Sequence, residues 1–134
     1  MKKKFHSNES FKHKLAKGLL IEWLKDNPRL IGLESIIKIT TEETQCEGGN
    51  IVFCPDITIY SDIGICAFIE IFNKHAVSDV KIDNIYRYLF SHKWLFIDVL
   101  EISADWIMNQ TKQPEELLYQ RYTFANHDIL DNLF

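Results

Sequence analysis

Two carboxylate side chains interrupt apolar sequence in the stretch PDITIYSDIGICAFIEIF, which begins at Pro55. Asp56 directly follows this proline at the start of one apolar run, and Glu70 lies inside the next run among Ile, Phe and Ala. Burying a carboxylate costs several kcal/mol unless it is paired, protonated or bound to a metal ion. These two acids are therefore the first candidates for a chemical role.

The sequence between the two acids predicts that they meet. Residues 61–64, Ser-Asp-Ile-Gly, form a turn signal between two strands, so Asp56 and Glu70 should lie near each other on adjacent strands. Two close carboxylates repel, and one is normally neutralised by a proton or a divalent cation. A hard cation such as Mg²⁺ prefers oxygen ligands and keeps waters for a substrate phosphate. We therefore predict a Mg²⁺ (or Mn²⁺) site with Asp56 and Glu70 as ligands.

A structural role for Glu70 stays open beside the metal site. Its carboxylate could pair with Lys38, Lys74 or Lys81 instead. It could also lie where the strand is exposed at an edge. The residue pattern alone does not decide between these alternatives and a metal.

The sequence before and after the two acids predicts the elements that position them. A first helix should start after a cap at Ser7 or Asn8 and end at Pro28. Its helical spacing predicts a buried apolar stripe made of Phe11, Leu15, Leu19 and Trp23, joined by Ala16, Leu20 and Leu24.

Three strands should follow over residues 33–44, 51–60 and 65–73, with turn signals between them. Residues 78–92 form a strongly amphipathic pattern, which predicts a second helix. The nearly continuous apolar run over 94–100 is typical of a strand buried on both faces. Pro114 at a first turn predicts a last helix over 114–122. The predicted order is helix, three-stranded meander, helix and strand.

Length and charge limit the classes of protein. The chain has 134 residues, 46% of them hydrophobic, which suits one domain with a single core. A net charge of −4 argues against non-specific coating of nucleic acid. The first 25 residues nevertheless carry seven lysines against two glutamates. Lys14 and Lys17 are thus candidate phosphate contacts, and a solvated helix face is the alternative.

Location can also be predicted from the sequence. No stretch approaches the about 18 apolar residues of a membrane span, and the basic start lacks the apolar segment of a secretory signal. We therefore expect no membrane partner. Cys46, Cys54 and Cys66 are odd in number and lack paired spacing, which indicates reduced thiols and a cytoplasmic protein.

The Pro-Asp and Glu motifs, in this order of elements, resemble the PD-(D/E)XK nuclease superfamily. More narrowly, IEIFNKHAVSDVKIDNIYRYLF and the early ESFKHKLAKGLL are similar to the nuclease domains of competence CoiA-like proteins, over roughly residues 9–100. The resemblance implies an α/β mixed sheet with an αβββαβ restriction-endonuclease-like core in a three-layer sandwich. It sets this core over about 9–100 and leaves a C-terminal helical segment over about 101–134. It also implies hydrolysis of phosphodiester bonds, of DNA in preference to RNA, with Mg²⁺ or Mn²⁺.

The chain departs from that family at one position. The family carries a lysine two residues after the glutamate, where this sequence has Phe72. Such a lysine helps orient the attacking water and offsets transition-state charge, which a phenyl ring cannot do. Lys81, about one turn into the predicted second helix, is our candidate for a displaced catalytic lysine, with Lys74 as a weaker one. An exposed helix lysine without a role is the alternative for Lys81.

Four further residues resemble functional ones. Glu22 is similar to the acidic residue that many of these nucleases place near the metal, and His75 could hold substrate or a ligand water. Arg87 and Tyr88 could contact a nucleic-acid backbone or base. Each also fits a plain structural role, as a solvated or backbone-bonded side chain.

Two functions therefore follow from the sequence. The first is a metal-dependent nuclease in which Asp56, Glu70 and Lys81 are catalytic, with a homodimer or a partner protein supplying specificity. The second is a nuclease-fold module that has lost catalysis and serves in binding or assembly. Phe72 and the acidic balance favour the second, while retention of both acids favours the first.

Overall fold

The computed structural model describes residues 10–43, 45–47, 50–62, 64–73, 83–84, 87, 96–125 and 131. None of the helices in that part of the chain is long and apolar enough to cross a membrane. Its elements, in chain order, are α1 (Phe11–Asp26), a 3-10 helix (Pro28–Ile31), β1 (Lys38–Thr41), β2 (Gln45–Glu47), β3 (Asn50–Phe53), β4 (Ile57–Ser61), β5 (Gly64–Phe72), β6 (Phe96–Ser103), α2 (Ala104–Met108) and β7 (Gln120–Ala125).

Five of the strands form one mixed sheet in the order β1-β4-β5-β6-β7, and β2 and β3 form a separate antiparallel pair. β1, β4 and β5 are antiparallel neighbours, whereas β6 runs parallel to β5. A parallel neighbour requires a long connection, and residues 73–95 supply it. The α+β class, the antiparallel strands and the parallel strand near 94–100 are confirmed.

Two predicted strands are shorter than expected. The strand predicted over 51–60 is divided into β3 and β4 by a gap that contains Pro55. Proline has no N–H to donate to a ladder and restricts the residue before it, so the strand is interrupted there. The strand predicted over 33–44 is reduced to β1. Glu42 follows it with a φ of 52°, a left-handed conformation that ends the extended chain.

The helix predicted over 114–122 is wrong. Residues 114–119 are not helical, and β7 begins at Gln120 and pairs antiparallel with β6. This helix was predicted from Pro114 alone and not from a helical pattern of apolar residues. The edge of β6 offers a row of backbone donors and acceptors, and pairing with that edge outweighs the weak local signal. Residues 101–103 belong to β6 and residues 120–125 form β7, so these described parts of 101–134 belong to the sheet and are not the predicted helical segment.

The helix predicted over 78–92 lies largely outside the described residues. Asp83, Asn84 and Arg87, which are described, are helical.

α1 begins later than predicted. Its N-cap is Ser10 rather than Ser7 or Asn8, and the Ser10 hydroxyl oxygen accepts a hydrogen bond from the backbone N–H of His13 at 3.1 Å. That bond satisfies one of the orphan donors of the first turn. The helix ends before Pro28, as predicted.

α1 also buries a different face from the one predicted. Phe11 and Leu15, which the apolar stripe placed in the core, are 76% and 41% exposed. The predicted stripe is thus correct in its later turns and wrong at its start. The residues that α1 buries are His13, Ala16, Lys17, Leu20, Trp23 and Leu24.

The centre of the sheet is buried on both faces. Val99 and Leu100, neighbours on β6 that point to opposite faces, are 0% and 1% exposed, which confirms the prediction for this strand. Phe68 is fully buried on the same face as Val99. The other face forms one cluster with α1, to which the sheet contributes Ile57, Ile59, Ala67, Ile69, Ile71, Leu100 and Ile102.

The face that α1 buries can be tested by truncating two leucines of the same helix. Leu20→Ala should lower the free energy of unfolding by about 2–5 kcal/mol, because Leu20 is fully buried. Leu15→Ala is the matched control and should cost less than about 1 kcal/mol. Urea unfolding followed by tryptophan fluorescence measures both. Equal losses would contradict the observed face and restore the predicted stripe.

Candidate active site

Asp56 lies beside β5 at the point where β4 no longer pairs with it. The pairing of these strands ends at Ile57 and Ile69, two residues before Ile71. The N–H of Ile71 donates to Asp56 Oδ2 at 2.8 Å, and Asp56 is only 5% exposed. An unsatisfied buried N–H would cost about 1–3 kcal/mol. The carboxylate therefore takes the place of a strand partner for β5.

His13 of α1 binds the same residue of β5 from the helix side. Its Nε2 lies 2.9 Å from the carbonyl oxygen of Ile71 and 3.4 Å from Asp56 Oδ2. Because a carbonyl only accepts, Nε2 must carry the hydrogen of this bond. One nitrogen thus joins the helix to the strand and places a donor beside the Asp56 carboxylate. No pattern in the sequence predicts a role for His13.

Glu70 directly precedes Ile71 and is 6% exposed. Ile57 and Ile69 are the last register partners of β4 and β5, and Asp56 and Glu70 are the residues next to this pair. The backbone therefore places the two predicted metal ligands at the same end of these strands. Because side chains alternate along a strand, Glu70 shares a face of the sheet with Phe68 and not with Ile71.

Glu101 is a third carboxylate at this end of the sheet, and the sequence analysis missed it. It pairs with Glu70 in the parallel register of β5 and β6, so both side chains lie on one face, and it is 4% exposed. Like Glu70, it stands inside an apolar run, LFIDVLEIS, and that signal could have identified it. The pKa of the Tyr122 phenol is raised above its usual 10.0, mainly because Tyr122 hydrogen-bonds Glu101, with burial and the Glu101 charge adding to the effect.

Lys17 lies one turn after His13 on the buried face of α1. Its ammonium is 2.5 Å from Glu42 Oε1, with side chains 9% and 33% exposed. The backbone N–H of Glu42 donates to the carbonyl oxygen of Asp56 at 3.1 Å. Lys17 was predicted to contact nucleic acid at the surface, whereas its amine is held inside the protein by an ion pair.

The other predicted site residues are not brought to Asp56 by the described structure. Glu22 is exposed on α1, nine residues after His13 and so about 13 Å further along the axis. Lys14 and Arg87 are exposed, as a surface contact requires. The candidates that lie outside the described residues are Lys74, His75, Lys81 and Tyr88.

The polar groups at this end of the sheet combine acids with basic side chains. Asp56, Glu70 and Glu101 supply carboxylates, and α1 adds His13 and Lys17. Among the described residues, no group of three or more His, Cys, Asp or Glu side chains is arranged to hold a metal ion. Mg²⁺ is commonly held by only one or two carboxylates together with water and substrate phosphate. The carboxylate oxygens of Asp56 and Glu70 are donors of that kind.

No protein-family model matches this chain, and comparisons with curated proteins and with solved structures found no significant similarity. The function is therefore inferred from the fold and from the geometry of this site.

The hydrogen bond between Tyr122 and Glu101 predicts that the Tyr122 phenol loses its proton at a higher pH than an ordinary tyrosine. A raised folded-state pKa means that Tyr122 contributes stability at pH values below about 10, and that this contribution is lost as the pH rises through the folded-state pKa. Absorbance titration near 295 nm, comparing the parent with Tyr122→Phe, should show one phenol titrating above pH 10.0. Glu101→Gln should move that midpoint down towards 10.0. An unchanged titration midpoint of Tyr122 in Glu101→Gln would contradict this hydrogen bond.

Proposed function

We propose that this chain is a metal-dependent nuclease that hydrolyses phosphodiester bonds of nucleic acid, of DNA in preference to RNA. The observation that carries the proposal is that Asp56 and Glu70, both buried, lie next to the last register pair of β4 and β5, Ile57 and Ile69, at the same end of the two strands. An apolar core does not need two acids at neighbouring positions, whereas a divalent cation does.

The topology supports a PD-(D/E)XK-type core for this nuclease. α1 precedes three antiparallel strands, β1, β4 and β5, and β6 returns parallel to β5 after a long connection. The helical residues Asp83, Asn84 and Arg87 lie within that connection. The described elements are compatible with the αβββαβ order that the resemblance implies, with β2, β3, α2 and β7 as additions.

Asp56 and Glu70 are the residues that would hold Mg²⁺ or Mn²⁺. When bound, such an ion polarises a phosphoryl oxygen and lowers the pKa of a bound water. The donor set fits a hard cation, because both ligands are carboxylates and both are nine-tenths buried or more. Low exposure also strengthens every charge interaction at the site.

The remaining residues of the chain orient these acids and complete the site. The Ile71 N–H and the His13 ring hold the Asp56 carboxylate in place. Lys81 is proposed to orient the attacking water and to offset the charge that develops on the phosphoryl group, since Phe72 cannot. Lys14 and Arg87 offer exposed cations for phosphate contact.

Further proposals concern the surroundings of the enzyme. Tyr88 and His75 remain candidate substrate contacts. A homodimer or a partner protein would enlarge the small contact area of one domain. The cytoplasm is the proposed location, where the thiols of Cys46, Cys54 and Cys66 would stay reduced.

A catalytically inactive binding or assembly module is the second candidate. Two observations favour it. Phe72 occupies the position of the family lysine and is half-buried on β5. Asp56 already has a structural role, because its carboxylate replaces a strand partner for Ile71.

Isosteric substitution of the two acids tests the nuclease. Asp56→Asn and Glu70→Gln should each lower Mg²⁺- or Mn²⁺-dependent cleavage of labelled DNA and RNA by about 10²-fold or more, since each removes a charged ligand. Asn retains an oxygen that can accept from Ile71 N–H, so the fold should persist. The exposed acids Asp26 and Glu115 provide matched controls, Asp26→Asn and Glu115→Gln.

If both variants cleave at the parent's rate, the activity lies elsewhere in the protein. A folded parent that binds nucleic acid without cleaving it under either metal would establish the inactive module instead.

The displaced lysine is tested in the same assay. Lys81→Ala should lower the cleavage rate by about 10²-fold, because the cation that stabilises transition-state charge is lost. Lys74→Ala should lower it much less. Lys81→Ala should unfold at the parent's urea concentration, because the sequence pattern predicts Lys81 off the apolar stripe of its helix, where a side chain carries little packing energy. Parent-like cleavage by Lys81→Ala would remove this residue from the mechanism.

A further inference from the structure

The burial of Lys17 is the least expected feature of α1. An ammonium is costly to remove from water, and the exposed positions of this helix could carry a lysine at no such cost. The side chain of Lys17 is nevertheless only 9% exposed, and its nitrogen lies 2.5 Å from Glu42 Oε1. A buried ion pair is weak evidence for stability, because apolar residues of similar volume often serve as well. Stability alone therefore does not account for the pair.

The acid that receives this ammonium has an unusual backbone. Glu42 has a φ of 52°, a left-handed conformation that non-glycine residues adopt uncommonly. Such a conformation persists only where the surrounding structure imposes it. Two contacts hold it here: the ion pair to Lys17 and the hydrogen bond from the Glu42 N–H to the Asp56 carbonyl at 3.1 Å.

These contacts join α1 to the backbone of a proposed metal ligand. Asp56 is held through its carboxylate by Ile71 N–H and His13, and through its carbonyl by Glu42, which Lys17 anchors. His13 and Lys17 are four residues apart and therefore lie on the same side of α1. One helix face thus controls both the side chain and the main chain of Asp56.

We propose that Lys17 and Glu42 are positioning residues that fix Asp56 for metal binding. Lys17 acts through Glu42, and Glu42 acts through the carbonyl of Asp56. This inference rests on the proposed nuclease function, but it concerns residues to which the resemblance assigns no part in holding the metal. Residues that orient metal ligands from behind typically change metal affinity by about 10–100-fold when replaced.

The affinity for Mn²⁺ distinguishes a positioning role of Lys17 and Glu42 from a direct effect of their charges on the metal ion. We expect Lys17→Met and Glu42→Gln each to weaken Mn²⁺ binding by about 10-fold. The double variant should bind about as well as either single one, because both substitutions break the same link. A simple charge effect gives opposite signs: removing the lysine tightens cation binding, and removing the glutamate weakens it.

The experiment measures Mn²⁺ dissociation constants by titration calorimetry on folded protein at pH 7, well below each variant's unfolding temperature. Lys25→Met and Glu34→Gln, two exposed residues away from the site, are the matched controls and should bind like the parent. If the unpaired charge in a single variant prevents folding, the Mn²⁺ dissociation constant is measured on the double variant, because that variant has lost both charges.

A metal-free measurement supports the same link. In the absence of any metal, amide hydrogen exchange at Glu42 should accelerate in Lys17→Met, because this N–H donates to Asp56 only while Glu42 is anchored. In the cleavage assay, the metal concentration for half-maximal rate should rise about 10-fold, while the rate at saturating metal stays near that of the parent.

Each other outcome overturns the proposal. Parent-like Mn²⁺ affinity in the double variant would make the pair purely structural. Opposite shifts in the two single variants would make its effect electrostatic. If the parent binds no Mn²⁺ and cleaves no nucleic acid, both the nuclease and this inference are wrong. If the parent does both and the Lys17 and Glu42 variants bind Mn²⁺ equally well, only this inference is wrong.

Discussion

Ile71 lies beyond the last residue of β5 that pairs with β4. Its backbone N–H and carbonyl therefore need other hydrogen-bond partners, and the arrangement of one end of the sheet depends on them. Asp56 accepts from the N–H, and His13 contacts the carbonyl. β4 cannot extend to do this itself, because Pro55 ends the run of backbone donors. A strand interruption in the sequence thus becomes a buried polar site in the structure. Both side chains that complete the strand can also take part in chemistry.

The orientation of α1 follows from this contact. With His13 directed at the strand, the helical repeat carries Lys17 inward and turns Phe11 towards solvent, where it is 76% exposed. The buried ammonium then requires an acid, and Glu42 supplies one at the end of β1. The later turns still bury Leu20 and its apolar neighbours, because the same face that carries the two basic residues is apolar from Leu20 onwards.

Buried acids dominate the chemistry that this end of the sheet can perform. Glu70 and Glu101 are register partners on parallel strands, and Asp56 directly precedes the last residue of β4 that pairs with β5. Like charges so placed are tolerated when a proton, a basic side chain or a cation offsets them. The site has basic groups on its α1 side, from His13 and Lys17.

Local pattern determined the elements whose signals are dense: β5, the turn before it, the parallel strand near 94–100 and the end of α1 before Pro28. It also indicated that Asp56 and Glu70 are buried, because both acids lie in apolar sequence. Tertiary structure alone decided three things: which face α1 buries, that residues 120–125 pair with β6 as β7, and that Lys17 reaches Glu42. Each depends on a partner distant in sequence, and no local periodicity encodes the energy of satisfying a backbone group or a buried charge on another element.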